Sequence, residues 1–248
     1  MTVLADKQNI FYTSISKYYS EIFPYNPMQL TFAEAKLGGL PGKTILDIGC
    51  ATGELAYNLA LGGARVTGID LNEDLLEQAR QNKVHPNLQF QKGDMLKLEA
   101  DFQSAQFDAV ICFGNTLVHL NSLAAVVDML KGARTVLKPG GTLLLQILNY
   151  DHILDDEVTT LPRIETDNIV FIRNYRLDEK SDFLDFQTEL VLKEKALGIR
   201  NETRLLALRS QDLLIALTEA GFSEISLYSN FKQDAFGGKH LPLVVSCS

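Results

Sequence analysis

Cysteine, histidine and positive charge are scarce in this chain, and no long apolar run occurs; each shortage removes a class of protein. Cys50, Cys112 and Cys247 are odd in number and far apart, which describes reduced thiols rather than the disulfide framework of a small secreted domain. The four histidines (His85, His119, His152, His240) show no ligand spacing with cysteines or acids, so no metal site is expected. No stretch approaches the roughly 20 apolar residues that span a bilayer, which argues against a membrane partner. No basic region followed by an apolar one opens the chain, so the expected compartment is cytoplasmic. With 23 basic and 31 acidic residues the formal charge is −8. Gripping a phosphate backbone demands clustered Lys and Arg, so nucleic acid is disfavoured as a partner. Neither repeats nor low-complexity segments appear. What remains is a chain of 248 residues, 46% hydrophobic and 22% charged, long enough for one α/β domain with a substantial core.

The most informative stretch is Thr44-Ile45-Leu46-Asp47-Ile48-Gly49-Cys50-Ala51-Thr52-Gly53-Glu54. An apolar β-type run carries an aspartate near its end, turns tightly between Gly49 and Gly53, and enters a helix at Glu54. The glycines let backbone approach a ligand closely, and the helix start leaves N–H groups aimed at it. A dinucleotide fold wants glycine at the second motif position, where this chain has Ala51. Asp47 would repel a pyrophosphate but attract an ammonium group. An amino-acid zwitterion attached to a nucleoside, as in S-adenosylmethionine, suits this turn better. Cys50 sits where a small side chain fits. Residues 65–70 form a second strand ending in Asp70, a carboxylate placed to accept both hydroxyls of a ribose. A nicotinamide-dependent oxidoreductase is the competing reading.

Further along, 73–82 reads as a helix, 88–91 as a third strand, 107–112 as a fourth, and 122–137 as an amphipathic helix stopped by Lys138-Pro139-Gly140-Gly141. Residues 142–148 are almost wholly apolar, as in a strand buried on both faces. Before the motif, 1–40 is helical and aromatic, with Pro24 and Pro27 as breakers and a second helix over 30–37. After it, 169–177 and 183–192 alternate around a charged turn at 178–182, with a third strand at 203–209: an inserted antiparallel flap. Ser210 caps a last helix, and strands at 224–228 and 243–247 finish the sheet.

Residues 45–54, 66–80, 93–94, 107–120 and 136–149 together resemble the class I S-adenosylmethionine-dependent methyltransferases. Within them, 110–120 and Asn149-Tyr150-Asp151-His152-Ile153-Leu154 resemble the glycine and sarcosine N-methyltransferase group. The resemblance implies a Rossmann-like fold: a doubly wound, seven-stranded, mostly parallel sheet with its last strand antiparallel. One methyltransferase domain would comprise a helical lid (1–40), a cofactor-binding core (41–148), the flap (149–209) and a closing helix and strands (210–248). It implies S-adenosylmethionine as cofactor, S-adenosylhomocysteine as product and a small-molecule methyl acceptor. Asp94 would accept from the adenine amino group with Met95 against the ring, and Cys50, Leu71 and Phe113 would complete the cofactor wall. Asn115 would stand near the reacting sulfonium, with Tyr19, Tyr12 or Tyr18 reaching in from the lid. His119, Arg173 and Tyr175 are candidates for holding the acceptor. In the glycine-methylating relatives an arginine precedes the Asn-Tyr-Asp segment; here that position is Leu148, which disfavours glycine unless Arg173 or Arg176 substitutes. Methylation at nitrogen is favoured over oxygen or carbon. A cofactor-binding protein without catalysis, and a protein or nucleic-acid methyltransferase, are the alternatives.

Overall fold

The aspartate-tipped run becomes the middle of a large sheet. The computed structural model describes residues 3–177, 181–194 and 197–248. Its N-terminal segment forms α1 (Val3–Ile15), a 3-10 turn (Ser16–Tyr18), α2 (Tyr19–Ile22) and α3 (Pro27–Leu37). Pro27, expected as a breaker, instead begins α3. Its missing N–H costs nothing at the first helical position, and the Asn26 side chain accepts from the Met28 N–H at 3.0 Å.

Strands and helices then alternate: β1 (Thr44–Ile48), α4 (Glu54–Leu61), β2 (Arg65–Asp70), α5 (Glu73–Asn82), β3 (Leu88–Lys92), α6 (Leu98–Asp101), β4 (Phe107–Cys112), α7 (Leu123–Val136) and β5 (Leu137–Leu148). Next come α8 (Tyr150–Asp155), β6 (Ile164–Glu165), β7 (Ile169–Arg176), β8 (Phe183–Leu192) and β9 (Leu197–Leu206), followed by α9 (Ser210–Glu219), β10 (Ser226–Tyr228) and β11 (Pro242–Cys247). The large sheet has the order β10-β11-β5-β4-β1-β2-β3. All neighbours from β3 to β5 are parallel, and β11 runs antiparallel to both β5 and β10. This is the seven-stranded, doubly wound architecture expected. Chain order reverses between β1 and β4, and ligands of open α/β sheets bind at that switch, beyond the strands' carboxyl ends.

Apolar helix stripes cover both faces. Val126 and Leu130 of α7 and Leu213 of α9 seal one, while Phe32 of α3 and Leu55 and Leu59 of α4 seal the other. Burying each such side chain contributes about 1.5–3 kcal/mol. Leu123, at the first turn of α7, is exposed. At the amino ends of the strands, Asp108 accepts from the Thr44 N–H at 2.8 Å and pairs with Lys138 at 2.8 Å. Burial opposes ionisation of Asp108, but those bonds outweigh it and bring the carboxyl down to about 2. Lys138 to Gly141 do not end the helix as a loop; they sit within a register shift of β5 between its pairings to Phe107 and Ala109.

The second sheet, β6-β7-β8-β9, is antiparallel throughout. Its third expected strand begins at Leu197 rather than 203, because Arg200, Glu202 and Arg204 occupy one face while Ile199, Asn201 and Thr203 take the other. The sequence reading did not include α8 or β6. Asp178, Glu179 and Lys180 of the expected charged turn lie outside the described residues. Ser210 is the first helical residue of α9 rather than its cap, and its N–H donates to Asp151 Oδ1. Phe11 and Ile15 of α1 are buried against Phe171 and Leu190, which ties the N-terminal helix to this sheet.

Gly53 has φ +79°, and a Cβ there would sit 2.3 Å from the Phe90 ring. Gly140 has φ +74° with open space around it. Gly53→Ala is therefore expected to cost roughly 2–4 kcal/mol, from backbone strain plus overpacking, and Gly140→Ala only about 1 kcal/mol. Denaturant unfolding of the two variants checks this; equal losses would contradict the crowding at Gly53.

Candidate active site

β1 and β2 end side by side, with Ile48 opposite Ile69. The Gly49 and Cys50 N–H groups both donate to the Ile69 carbonyl, at 2.8 and 3.0 Å. Gly49 has φ +72°, and a Cβ on it would fall 2.5 Å from the Thr116 side chain, so its bareness lets the loop after β4 close on the turn. Ala51, which replaces the glycine of a dinucleotide motif, also takes a left-handed conformation, φ +49°. That costs on the order of 1–2 kcal/mol. Its N–H donates to Asp70 Oδ2 at 3.0 Å, while the Asn72 N–H donates to Asp70 Oδ1 at 2.8 Å. Asp70 is half-buried, and burial raises its pKa although the backbone donors pull the other way. Asp47 is 4% exposed, and among the described residues nothing hydrogen-bonds its carboxylate. Burial, then the charge of Asp70, pushes it up to about 7.

A cleft opens beyond these strand ends. Gly49, Ala51, Asp70, Leu71 and Asn72 form one wall; Gly93 and Met95 follow β3; Gly114, Thr116 and His119 follow β4. Gln8, Asn9 and Tyr12 of α1, with Tyr19 of α2, close it from the N-terminal side. Asn72 fastens that side: its side-chain amide donates to Asn9 Oδ1 at 2.8 Å and to Thr13 Oγ1 at 3.0 Å, while its oxygen caps α5.

Of the residues singled out from sequence, Gly49, Asp70, Leu71, Met95, His119, Tyr12 and Tyr19 line the cleft, and Tyr18 does not. Asp47 lies one residue inside the tip of β1 and is not part of the wall. Asp94 is half-buried and caps the turn Met95–Lys97, accepting from the Leu96 N–H at 3.0 Å. Gly53 backs onto Phe90. Three side chains depart from their expected roles. The Cys50 sulfur packs under β2 against Gly68, where a Cβ would meet it at 2.9 Å. Phe113 stacks edge-on with Phe231 in the core beneath α3 and α4. Asn115 accepts from the Leu148 N–H at 2.9 Å and donates to the Tyr150 hydroxyl at 3.1 Å, so its amide joins the β4 loop to the end of β5. Arg173 and Tyr175 share the inner face of the second sheet, whereas Arg176 faces outward, paired with Asp185. The sequence reading missed Gln8, Asn9, Gly114 and Thr116; polar residues on an N-terminal helix carry no local signal of a ligand.

Tyr12 and His119 meet at the edge of the cleft, hydroxyl to Nε2 at 2.9 Å. Burial pushes His119 down to about 4 and raises the Tyr12 phenol, so both are neutral near pH 7. His119 Nδ1 is buried with no partner. The residues present fit a nucleoside carrying a cationic tail. A buried, unbonded carboxylate (Asp47) suits a positive charge, and each Asp70 oxygen keeps a lone pair after accepting one backbone N–H.

A doubly wound sheet with a glycine turn at its switch point and an acid at the tip of β2 defines a nucleoside-binding fold of the Rossmann-like class. Residues 40–194 match the family described as Methyltransferase domain, and the chain belongs to the class I S-adenosylmethionine-dependent methyltransferases. Over 126 residues it is 35% identical to the ubiquinone biosynthesis O-methyltransferase of Acinetobacter baumannii, which covers 50% of this chain and 52% of that protein. The chain thus spans about half the length of the curated relatives it matches. The CcbJ methyltransferase of Streptomyces caelestis has a similar structure: TM-score 0.79, 23% identity, 94% of this chain and 95% of that one. An amino pentose methyltransferase from Micromonospora echinaspora, solved with S-adenosylmethionine bound, superposes with TM-score 0.69 and 17% identity over 94% and 97% of the two chains.

Asp47 supplies a pH test. Its folded pKa stands above the value near 3.9 of an unfolded aspartate, so the native state holds the proton more tightly and stability falls as pH rises from about 4 to about 7. Asp47→Asn is expected to stabilise the ligand-free protein at pH 8, by up to about 4 kcal/mol, and to gain little at pH 4. Thermal melts at the two pH values check the sign.

Proposed function

We propose that this chain transfers a methyl group from S-adenosylmethionine to a nitrogen of a small-molecule acceptor, releasing S-adenosylhomocysteine. The observation that carries the reading is one cleft with Asp70 on its wall and the neutral Tyr12–His119 pair at its edge. When bound, the cofactor supplies an electrophilic methyl carbon on a sulfonium. Asp70 would hold the ribose hydroxyls, and Asp47 would compensate the cationic tail. Leu71 and Met95 would flank the adenine, with Asp94 beside its amino group. Residues 1–40 would serve as the lid, because Gln8, Asn9, Tyr12 and Tyr19 already form that side of the cleft.

The chain's own contribution is then placement. Holding acceptor and methyl aligned at about 3–3.5 Å can supply on the order of 7–11 kcal/mol. The Tyr12 hydroxyl and His119 Nδ1 would orient the nucleophile. An imidazole at about 4 is a poor base at pH 7, which suits an amine arriving with its lone pair free. The likeness of 110–120 and 149–154 to the glycine and sarcosine group also favours nitrogen, while Leu148 turns the choice away from glycine itself. A net charge of −8 supports a metabolite over nucleic acid. Identity with the ubiquinone O-methyltransferases favours a second reading, transfer to a phenolic oxygen, in which His119 would take the hydroxyl proton.

Asp70→Ala is expected to weaken S-adenosylmethionine binding at least 10-fold by calorimetry while the thermal midpoint stays within a few degrees. Unchanged affinity would remove the ribose assignment. Turnover by wild type on matched amines and phenols, followed by mass spectrometry, separates the two readings. With amines, Tyr12→Phe should lower kcat about 10-fold and leave cofactor affinity intact.

A further inference from the structure

Four buried side-chain polar atoms lack a partner among the described residues: Tyr25 Oη, His119 Nδ1, Arg173 Nε and Thr188 Oγ1. An unpartnered buried donor costs about 1–3 kcal/mol, so such atoms point to a missing partner. Arg173 and Thr188 are directly opposite each other on β7 and β8, which puts their side chains on one face about 5 Å apart at Cβ. That face carries Phe171, Tyr175 and Phe186 and is turned towards α1: Phe186 meets Phe11, and Asn201 donates to Ser14 Oγ at 2.9 Å. Thr188 is 5% exposed. The Arg173 guanidinium donates one Nη2 bond to the Pro162 carbonyl at 2.7 Å and makes no ion pair with a described acid. Its neighbour on the outer face, Arg176, is paired with Asp185, as Arg200 is with Glu189.

A cation on an inner face, with no counterion among the described residues of an acidic chain, calls for an anion from outside. We propose that the methyl acceptor bears a carboxylate, remote from the atom methylated, that binds the Arg173 Nε–H and the Thr188 hydroxyl. This rests on the methyl-transfer reading and names the acceptor it leaves open. One carboxylate oxygen takes the guanidinium N–H and the other the hydroxyl, and the Nη2 bond to Pro162 holds the guanidinium plane in place. Tyr175 lies two residues from Arg173 on the same face, about 7 Å along the strand. The Tyr175 ring meets Phe186, Phe186 meets Phe11, and Phe11 meets Tyr12, edge to ring or tilted. A row of rings therefore leads from the Tyr12–His119 pair to the proposed anion site, and the acceptor needs several bonds between its two functional groups. Arg173 Nε is closed to water in this state, and the polar contacts of α1 to Asn72, Asp74 and His119 are the ones a ligand entering from the cleft would exchange.

The test uses the full chain saturated with S-adenosylhomocysteine and reads thermal unfolding. The probes are ω-amino carboxylates of three to six carbons, their primary amides, and aminoalkyl phosphates. The expected result is a rise of a few degrees with some carboxylates, none with the amides, and loss of that rise in Arg173→Met and in the near-isosteric Thr188→Val. Thr188→Val keeps the test open should Arg173→Met fold poorly. Equal protection by amides, protection by phosphates alone, protection surviving in both variants, or no protection by any probe each overturns the proposal. The melting shift given by S-adenosylhomocysteine itself is read in the same runs. Its absence from wild type would count against the cofactor reading, whereas its retention in the variants confines the loss to the acceptor site.

Discussion

The candidate site depends on the way the turn after β1 uses its backbone. Gly49 and Cys50 give their N–H groups to the Ile69 carbonyl and Ala51 gives its own to the Asp70 carboxylate, so main-chain donors after β1 grip the end of β2. This presets the Asp70 carboxylate towards the cleft, with Asn72 as the second donor. The grip requires left-handed conformations at residues 49, 51 and 53, and at Ala51 no glycine relieves them. The charge of Asp70 also adds to the cost of ionising Asp47 in a region of low dielectric. Strain and like charge at one end of a sheet are tolerated because the apolar layers of α3, α4, α7 and α9 hold the rest of it.

Much of this architecture was legible in the sequence wherever local propensity and burial pattern agree. The helix α5 runs over the expected residues because Asn72 caps it, Glu73 and Asp74 favour its dipole, and its apolar positions recur with helical period. Failures came where one signal masked another. Proline reads as a breaker although it starts α3, and Arg200 and Glu202 read as loop although they alternate with Ile199 and Asn201 on β9. Short elements such as β6 have too few residues to show a period at all. In the site, the ends of β1, β2 and β3 could be named because strand ends converge in this fold. Spacing fixes where a residue stands but not where its side chain points. Cys50, Phe113 and Asn115 therefore stand at the expected strand ends while their side chains turn to Gly68, to Phe231, and to Leu148 and Tyr150. The α1 residues of the cleft reach it only through contacts more than 60 positions away, such as Asn9 to Asn72.

That helix binds its two neighbours by different means. Towards the cleft its contacts are polar: Asn9 and Thr13 to Asn72, Thr13 to Asp74 at 2.6 Å, and Tyr12 to His119. Towards the second sheet they are mainly apolar, with Phe11 and Ile15 almost fully buried and one hydrogen bond from Asn201 to Ser14. A hydrogen bond exchangeable with water contributes a net 0.5–1.5 kcal/mol, whereas each buried aromatic or isoleucine contributes about 1.5–3 kcal/mol. The weaker side of α1 is thus the one facing the nucleoside cleft, and the helix belongs energetically to the second sheet.

Charge is distributed along the same line. Carboxylates stand at the strand ends, neutral dipoles at Tyr12 and His119, and an uncompensated guanidinium on the second sheet. A cationic cofactor is favoured at the first position by Coulomb attraction in a region where burial strengthens it. A cationic acceptor gains nothing from the neutral middle and is repelled from the far end, so it is driven to enter as a free base or to carry its own negative group. If the acceptor is the amine proposed above, such a gradient would need no dedicated base, because a protonated amine would be disfavoured before it reached the methyl. The low basicity of His119 is consistent with that division: an imidazole that took up a proton there would add positive charge beside an incoming amine and oppose its approach.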